Sequence, residues 1–516
     1  MKLPALSHSA AAELPEVGPS ADQAAASPRD SLSESRARAP WKWILILAAF
    51  GVAVRAILLW LALPIAIQSD EANYLYLAVG LEHFGVYFDH QRYLWPPGYA
   101  WLMNLFTGGG DMGGLDRLRA FQVICSSAIG ICTMLFAWRL YSTRAAIVAG
   151  GLWAVHVPLA AFTHLLWNET IFLSLFLPAL WQLLMGLDRA DEGDSRSSDR
   201  RLLLAGLLMG AALYVKEMPL LLVPFLSLIV LWRARHSGLL EAMRRGAILP
   251  LATVVVLLPW TVRNYEVYGR VVWGGATLGE NAYIGLNARY MNFDFIPLTR
   301  ERARLNLAPM AEMERASFTA PPIDDEGPGN GWARAEEIVH PVDRQKAQLS
   351  RGLKYAASHP GWFLRTRVKK WSDFVTPLSF FTRHHALGHY SKGTTLTGVL
   401  RKPLVGLSML SSALILLLFV LGSFLTVPKG GGRTVVMTVI GYAAAASTLV
   451  AMSRFRLPVE PLLIAIGAGF LAHGPAARSI PRWMAAGACL VGLGVLWWIA
   501  WPETMAAASM ALGGQP

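Results

Sequence analysis

Long apolar runs separated by short polar, turn-forming stretches dominate this chain, and a helix needs a run of roughly 20 such residues to cross a bilayer. The first run reaches from Trp41 to Leu63 and is interrupted by Arg55. Others cover Leu118–Trp138, Ala145–Phe162, Thr170–Leu187, Leu202–Tyr214, Leu220–Trp232 and Ala247–Thr261. After a long polar interval come Leu404–Leu425, Val435–Ala451, Leu457–Ala472 and Met484–Trp501. The pattern predicts an all-α polytopic membrane protein with about 11 transmembrane helices, the two runs flanking Lys216 being short for a span.

The polar intervals set the organisation. Residues 1–40, rich in Ala, Ser and Pro, read as a disordered cytoplasmic tail. Residues 41–262 read as an N-terminal transmembrane module that includes a first outer loop, 64–117. Residues 263–395 read as an extracytoplasmic region, Pro- and Gly-rich around Ala320, and residues 396–516 as a C-terminal transmembrane module. Within 263–395 a helix is expected from Asp343 to Ser358, broken at His359-Pro360-Gly361. Trp362, Phe363, Trp371 and Phe374 beyond the break suggest helices lying at the membrane surface.

Composition agrees. Of 516 residues 54% are hydrophobic and 16% charged, whereas soluble domains carry about 25% charge. Three cysteines exclude a disulfide scaffold. The net charge of +12 would fit a nucleic-acid partner, but its placement argues otherwise. With the N-terminus inside, Arg139 and Arg144, Arg189 to Arg201, Arg233 to Arg245, Lys429 and Arg433, and Arg478 and Arg482 fall in inside loops. That is the positive-inside bias of a membrane protein.

The exceptions to that bias carry the chemistry. Arg92, Arg117, Arg119, Lys216, Arg454 and Arg456 lie in outside connections, and Arg263 marks the outer end of a span. Asp70-Glu71, after the first span, and Glu169, opening another, lie at the same face. Singly, each acid could simply mark water and each base an interfacial anchor. Collected at one face, they suit an anionic substrate. Arg55 within a span is expected to be held by an ion pair in the bundle. His384, His385 and His389 form a candidate metal cluster or a solvated loop, while His156 and His164 read as polar interface residues.

These residues together resemble the GT-C superfamily of polytopic glycosyltransferases. The nearest branch is that of the dolichyl-phosphate-mannose protein mannosyltransferases and the bacterial lipid A aminoarabinose and RgtA-like transferases. The resemblance spans Trp41 to about Trp501 and rests on Asp70-Glu71, Pro96-Pro97-Gly98-Tyr99, Asn168-Glu169, Pro259-Trp260 with Arg263-Asn264-Tyr265, Tyr355 to Pro360 with Phe363, and Arg454-Phe-Arg456-Leu-Pro458. It implies transfer of a sugar, with inversion, from a polyprenyl-phosphate donor to a lipid, glycan or protein acceptor at the outer face of a bacterial plasma membrane.

On that resemblance Asp70 is the general base, Glu71 holds Asp70 or the acceptor, and Glu169 orients the acceptor or helps Asp70 hold a divalent metal. Lys216, Arg263, Arg454 and Arg456 are the candidates for binding the donor phosphate, and Tyr74, Tyr99 and Asn264 for lining the substrate. The family often has Arg-Pro where this chain has Lys216-Glu217-Met218-Pro219. A secondary transporter, or a lipid-linked glycan polymerase or ligase, is the alternative. No nucleic acid is expected.

Overall fold

The computed structural model describes residues 39–65, 67, 70–87, 94–108, 111–286, 340–386, 398–449, 453–476 and 479–513. The tail, the Ala320 region, Arg92, His389 and Arg478 lie outside these residues. In chain order the helices are α1 (Trp41–Ala62), α2 (Asp70–Phe84), α3 (Gly98–Thr107), α4 (Met112–Leu140), α5 (Thr143–Val155), α6 (Val157–Ala161), α7 (Glu169–Asp191), α8 (Ser195–Val215) and α9 (Leu222–Ala234). They continue with α10 (Leu239–Tyr268), α11 (Leu278–Leu286), α12 (Pro341–Ser358), α13 (Pro360–Val375), α14 (Phe380–Ala386), α15 (Arg401–Leu425), α16 (Gly432–Ala446), α17 (Glu460–His473) and α18 (Ile480–Ala511). Short 3₁₀ turns occupy Met218–Leu221, Arg235–Ser237 and Ser453–Arg456. Outside the helices, the described residues contain one isolated bridge, between Leu94 and Ala276.

The chain is an integral membrane protein, all-helical among the described residues. Among the described residues, seven helices are long and apolar enough to cross a membrane: α1, α4, α7, α9 with its flanking 3₁₀ turns, α10, α15 and α18. The shorter apolar helices α5, α16 and α17 carry three more of the expected runs. The Leu202–Tyr214 run lies in α8, whose first turns hold Arg196, Asp199, Arg200 and Arg201. Burial separates centre from periphery: 67% of the apolar window of α7 is buried against 17% of that of α18. The outward faces of the peripheral helices remain apolar, with Trp60, Leu240 and Trp498 exposed, as lipid-facing positions require.

The expected span Ala145–Phe162 is two helices, because Pro158 lacks an N–H and its ring clashes with the carbonyl four residues back. The chain is extended at His156 and restarts as α6. This break explains Arg55. The expected ion pair is not what holds it; its Nη2 donates to the Trp153 carbonyl at 3.0 Å, and its Nη1 to the carbonyls of Gly51 at 3.0 Å and Ala154 at 3.4 Å. The guanidinium also lies 3.9 Å over the Trp153 ring. The indole fills the junction of α1, α4 and α5, where a Cβ on Gly51 or Gly130 would stand 2.1 or 2.6 Å from it. Arg55 therefore caps the end of α5 from within the bundle.

Candidate active site

The site is organised by the segment Phe162–Asn168, which leads into α7. Its carbonyls are held from α4: Gln122 Nε2 donates to Leu165 O at 2.8 Å and Thr163 O at 3.2 Å, and Arg119 Nε to His164 O at 3.0 Å. On its other side the buried Glu71 carboxylate accepts the Leu166 N–H at 2.7 Å. Clamped in this way, the segment presents Trp167, Asn168 and Glu169 in fixed positions.

The first turn of α2, the start of α7, the end of α8 and the Ser453–Arg456 turn then meet. Arg454 Nε donates to Glu169 Oε1 at 2.6 Å, and its Nη1 to Asp70 Oδ2 at 2.6 Å. Lys216 Nζ donates to the same Glu169 oxygen at 2.8 Å and to Asn168 Oδ1 at 3.3 Å. The Arg454 guanidinium stacks 3.8 Å over the Trp167 ring. Two acids and two bases thus close into one network. Its members differ in access: the Glu169 side chain is 1% exposed, whereas that of Asp70 is 26% exposed. Asp70 is the carboxylate a substrate can reach.

The electrostatics follow from burial and pairing. Burial works against the Arg454 charge, but Glu169 and Asp70 outweigh it and hold its pKa above the ordinary guanidinium range. Burial pushes the Lys216 ammonium down, opposed by Glu169. Beneath the network, Tyr74 stacks on Trp95 at 4.7 Å and meets Tyr99 edge-on at 4.8 Å. Its hydroxyl accepts from Asn168 Nδ2 at 2.7 Å, and Tyr99 Oη donates to Gln122 Oε1 at 2.8 Å. Tyr74 and Tyr99 are buried, and they support the floor of the site.

Other sequence candidates stand apart from this network. Arg263 Nη2 donates to Tyr87 O at 2.9 Å and its guanidinium lies 4.7 Å over Trp260. Asn264 is buried and donates to Val272 O at 3.1 Å. Both shape the junction between the first outer loop and α10. Arg456 is buried, bonded to Glu460 at 3.0 Å and to the carbonyls of Phe374 at 2.8 Å and Thr376 at 3.0 Å. Glu460 in turn meets His156 Nε2 at 3.0 Å. This buried set fixes the turn that carries Arg454. His384 and His385 pack among aromatic rings, His384 lying 5.4 Å from Trp167.

The residues do not fit a divalent metal between Asp70 and Glu169. The Arg454 guanidinium already bonds both carboxylates, so an ion there would meet a fixed positive charge. Among the described residues no group of three or more His, Cys, Asp or Glu is placed to hold a metal.

Sequence reasoning singled out Asp70, Glu169, Lys216 and Arg454 because each is a charge at an expected outer span end, and the structure brings the four together. It passed over Gln122, whose signal was a lone amide in an apolar helix, and the Glu460–His156 pair.

The family model for dolichyl-phosphate-mannose-protein mannosyltransferase matches residues 95–260, a segment that includes Glu169 and Lys216. The match bears out the resemblance to GT-C glycosyltransferases. No curated protein matches the chain. Among solved structures, an Archaeoglobus fulgidus oligosaccharyltransferase tethered with an acceptor peptide overlays with TM-score 0.45 at 13% identity, over 92% of this chain and 55% of the other. This chain thus spans about half the length of that protein. ArnT from Cupriavidus metallidurans bound to undecaprenyl phosphate overlays with TM-score 0.34 at 15% identity, over 84% of this chain and 78% of the other.

Proposed function

We propose that this chain is a membrane glycosyltransferase that moves a sugar from a polyprenyl-phosphate donor to an acceptor hydroxyl at the extracytoplasmic face. The observation that carries the reading is the network itself: an accessible Asp70 bonded to Arg454, which is locked to Glu169 beside Lys216. The family match over residues 95–260 supports it, as does the placement of all four residues at span ends on the face opposite the basic loops.

In this reading the acceptor hydroxyl binds against Asp70, which accepts its proton as the oxygen attacks the anomeric carbon. The bond from that carbon to the phosphate oxygen breaks on the opposite side, and its electron pair leaves with the lipid phosphate. Attack from one face with departure from the other inverts the anomeric centre. The growing phosphate charge is met by Arg454 and Lys216, whose positions are fixed before reaction. Glu169 is the buried anchor that aligns both cations, and Glu71 acts through the backbone it holds. Arg263 and Arg456 position the outer loop and the Arg454 turn.

Cells lacking the protein test the reading. The expected result is loss of one sugar from a surface lipid, glycan or protein, with accumulation of its polyprenyl-phosphate precursor, both read by mass spectrometry. Unchanged glycans and unchanged precursor would overturn it.

A further inference from the structure

Asp70 and Glu169 hold Arg454 on unequal terms. The bond to Glu169 comes from Nε, and that side chain is 1% exposed. Lys216 pairs with the same carboxylate at 2.8 Å, and the face of the guanidinium rests on Trp167 at 3.8 Å. Trp167 is itself wedged edge-on against Phe380 at 5.0 Å and His384 at 5.4 Å. The bond to Asp70 comes from the terminal nitrogen Nη1, and the Asp70 side chain is 26% exposed. Among the described residues Glu169 thus pairs with two cations and Asp70 with one.

These two bonds differ in what it takes to break them. Removing the partner of a buried ion pair strands a charge away from water and is strongly unfavourable. A carboxylate at the water's edge is rehydrated when it loses its cation, and such pairs contribute little. An anion arriving at Arg454 therefore displaces Asp70 and leaves the bond to Glu169 in place. The guanidinium stays seated on Trp167, and only the partner of Nη1 changes.

The charges also match. A phosphodiester brings one negative charge and two non-bridging oxygens, a good acceptor for a guanidinium. Its arrival replaces the Asp70 carboxylate one for one, so Arg454 is neutralised before and after the exchange. The released carboxylate remains at the start of α2, beside the phosphate that displaced it.

We propose that the Asp70–Arg454 pair is a latch: in the empty site it ties the general base to the cation that receives the donor, and the donor's phosphate frees the base by taking its place. The proposal rests on the transferase reading, which puts the phosphate at Arg454. It imposes an order, because Asp70 becomes available to an acceptor hydroxyl only after the donor is seated.

Binding of undecaprenyl phosphate in nanodiscs tests the latch without acceptor or turnover. A pair closed about nine-tenths of the time lowers the apparent affinity of a competing anion about tenfold, and removing the pair restores it. Asp70→Asn should therefore tighten undecaprenyl phosphate binding about tenfold and leave undecaprenol, the same lipid without phosphate, unchanged. A gain of affinity does not arise from misfolding. In an Arg454→Gln background, and independently in Arg454→Met, the change at Asp70 should alter affinity by less than about twofold, because the competition is for that guanidinium. Unchanged or weaker phosphate-lipid binding by Asp70→Asn would overturn the latch, since the phosphate would then bind beside an intact pair. An equal gain with and without Arg454 would overturn it too, as a general relief of negative charge. If neither the parent nor Asp70→Asn preferred undecaprenyl phosphate to undecaprenol, the transferase reading beneath it would fall instead.

Discussion

Exchanging Arg454 for lysine keeps a positive charge but loses the geometry, since one ammonium cannot bond Glu169 and Asp70 in the planar fork that the guanidinium provides. Arg454→Lys is expected to lower kcat on the order of 10²-fold, the usual scale for one misplaced electrostatic donor, with little change in KM. A kcat within twofold of the parent would remove Arg454 from the mechanism. Glu217, next to Lys216, gives a pH prediction. Its carboxylate accepts from the Thr277 N–H at 2.8 Å and from the Thr277 hydroxyl, and burial pushes its pKa from 4.5 up to about 7. The folded chain then holds this proton more tightly than the unfolded chain. Its contribution is full below about pH 4.5 and is lost as pH rises to about 7. Glu217→Gln, which keeps the accepting carbonyl, should flatten melting temperature against pH over that window; an unaltered slope would contradict it. At this scale the sequence was informative about charge but not about pairing. Arg454 meets partners 285 and 384 positions away, and no local pattern encodes a separation of that size.

Among the helices, the break between α5 and α6 determines how α1 packs. Pro158 releases carbonyls at the end of α5, and Arg55 takes them. Arg55→Met should therefore cost about 1–3 kcal/mol, the penalty for buried acceptors left without donors. Gly51→Ala should cost a similar 1–3 kcal/mol by driving a methyl into Trp153. Thermal unfolding in detergent checks both, and variants as stable as the parent would contradict this packing account. The apolar runs were legible because lipid demands them; among the described residues each falls mainly on one helix, except Ala145–Phe162, which is divided between α5 and α6. The interruption at His156 was not read, although Pro158 was visible, because a proline can sit in either a kinked or a broken transmembrane helix. The helix α12 (Pro341–Ser358) and the stop at His359 followed the expectation closely, since proline and capping signals act locally.

For the whole molecule, the central inference is sidedness: the acids and bases of the site collect opposite the basic loops. With the three cysteines replaced by serine, a cysteine at exposed His236 should react with a membrane-impermeant maleimide only after the membrane is opened, and one at exposed Lys354 without opening. Reversed labelling would place the site on the other face. In the proposed topology the charge surplus of +12 separates into a majority that orients the chain and a few cations at the opposite face that build the site. What remained hidden was the buried His156–Glu460 pair, whose members stand 304 positions apart and become neighbours only through folding. The most direct test of the account is turnover of purified protein in proteoliposomes with a polyprenyl-phosphate sugar and its acceptor, comparing the parent with Asp70→Asn. Loss of the accessible base should lower kcat by roughly 10²-fold or more with the melting temperature unchanged. Near-parental turnover by Asp70→Asn would contradict the mechanism.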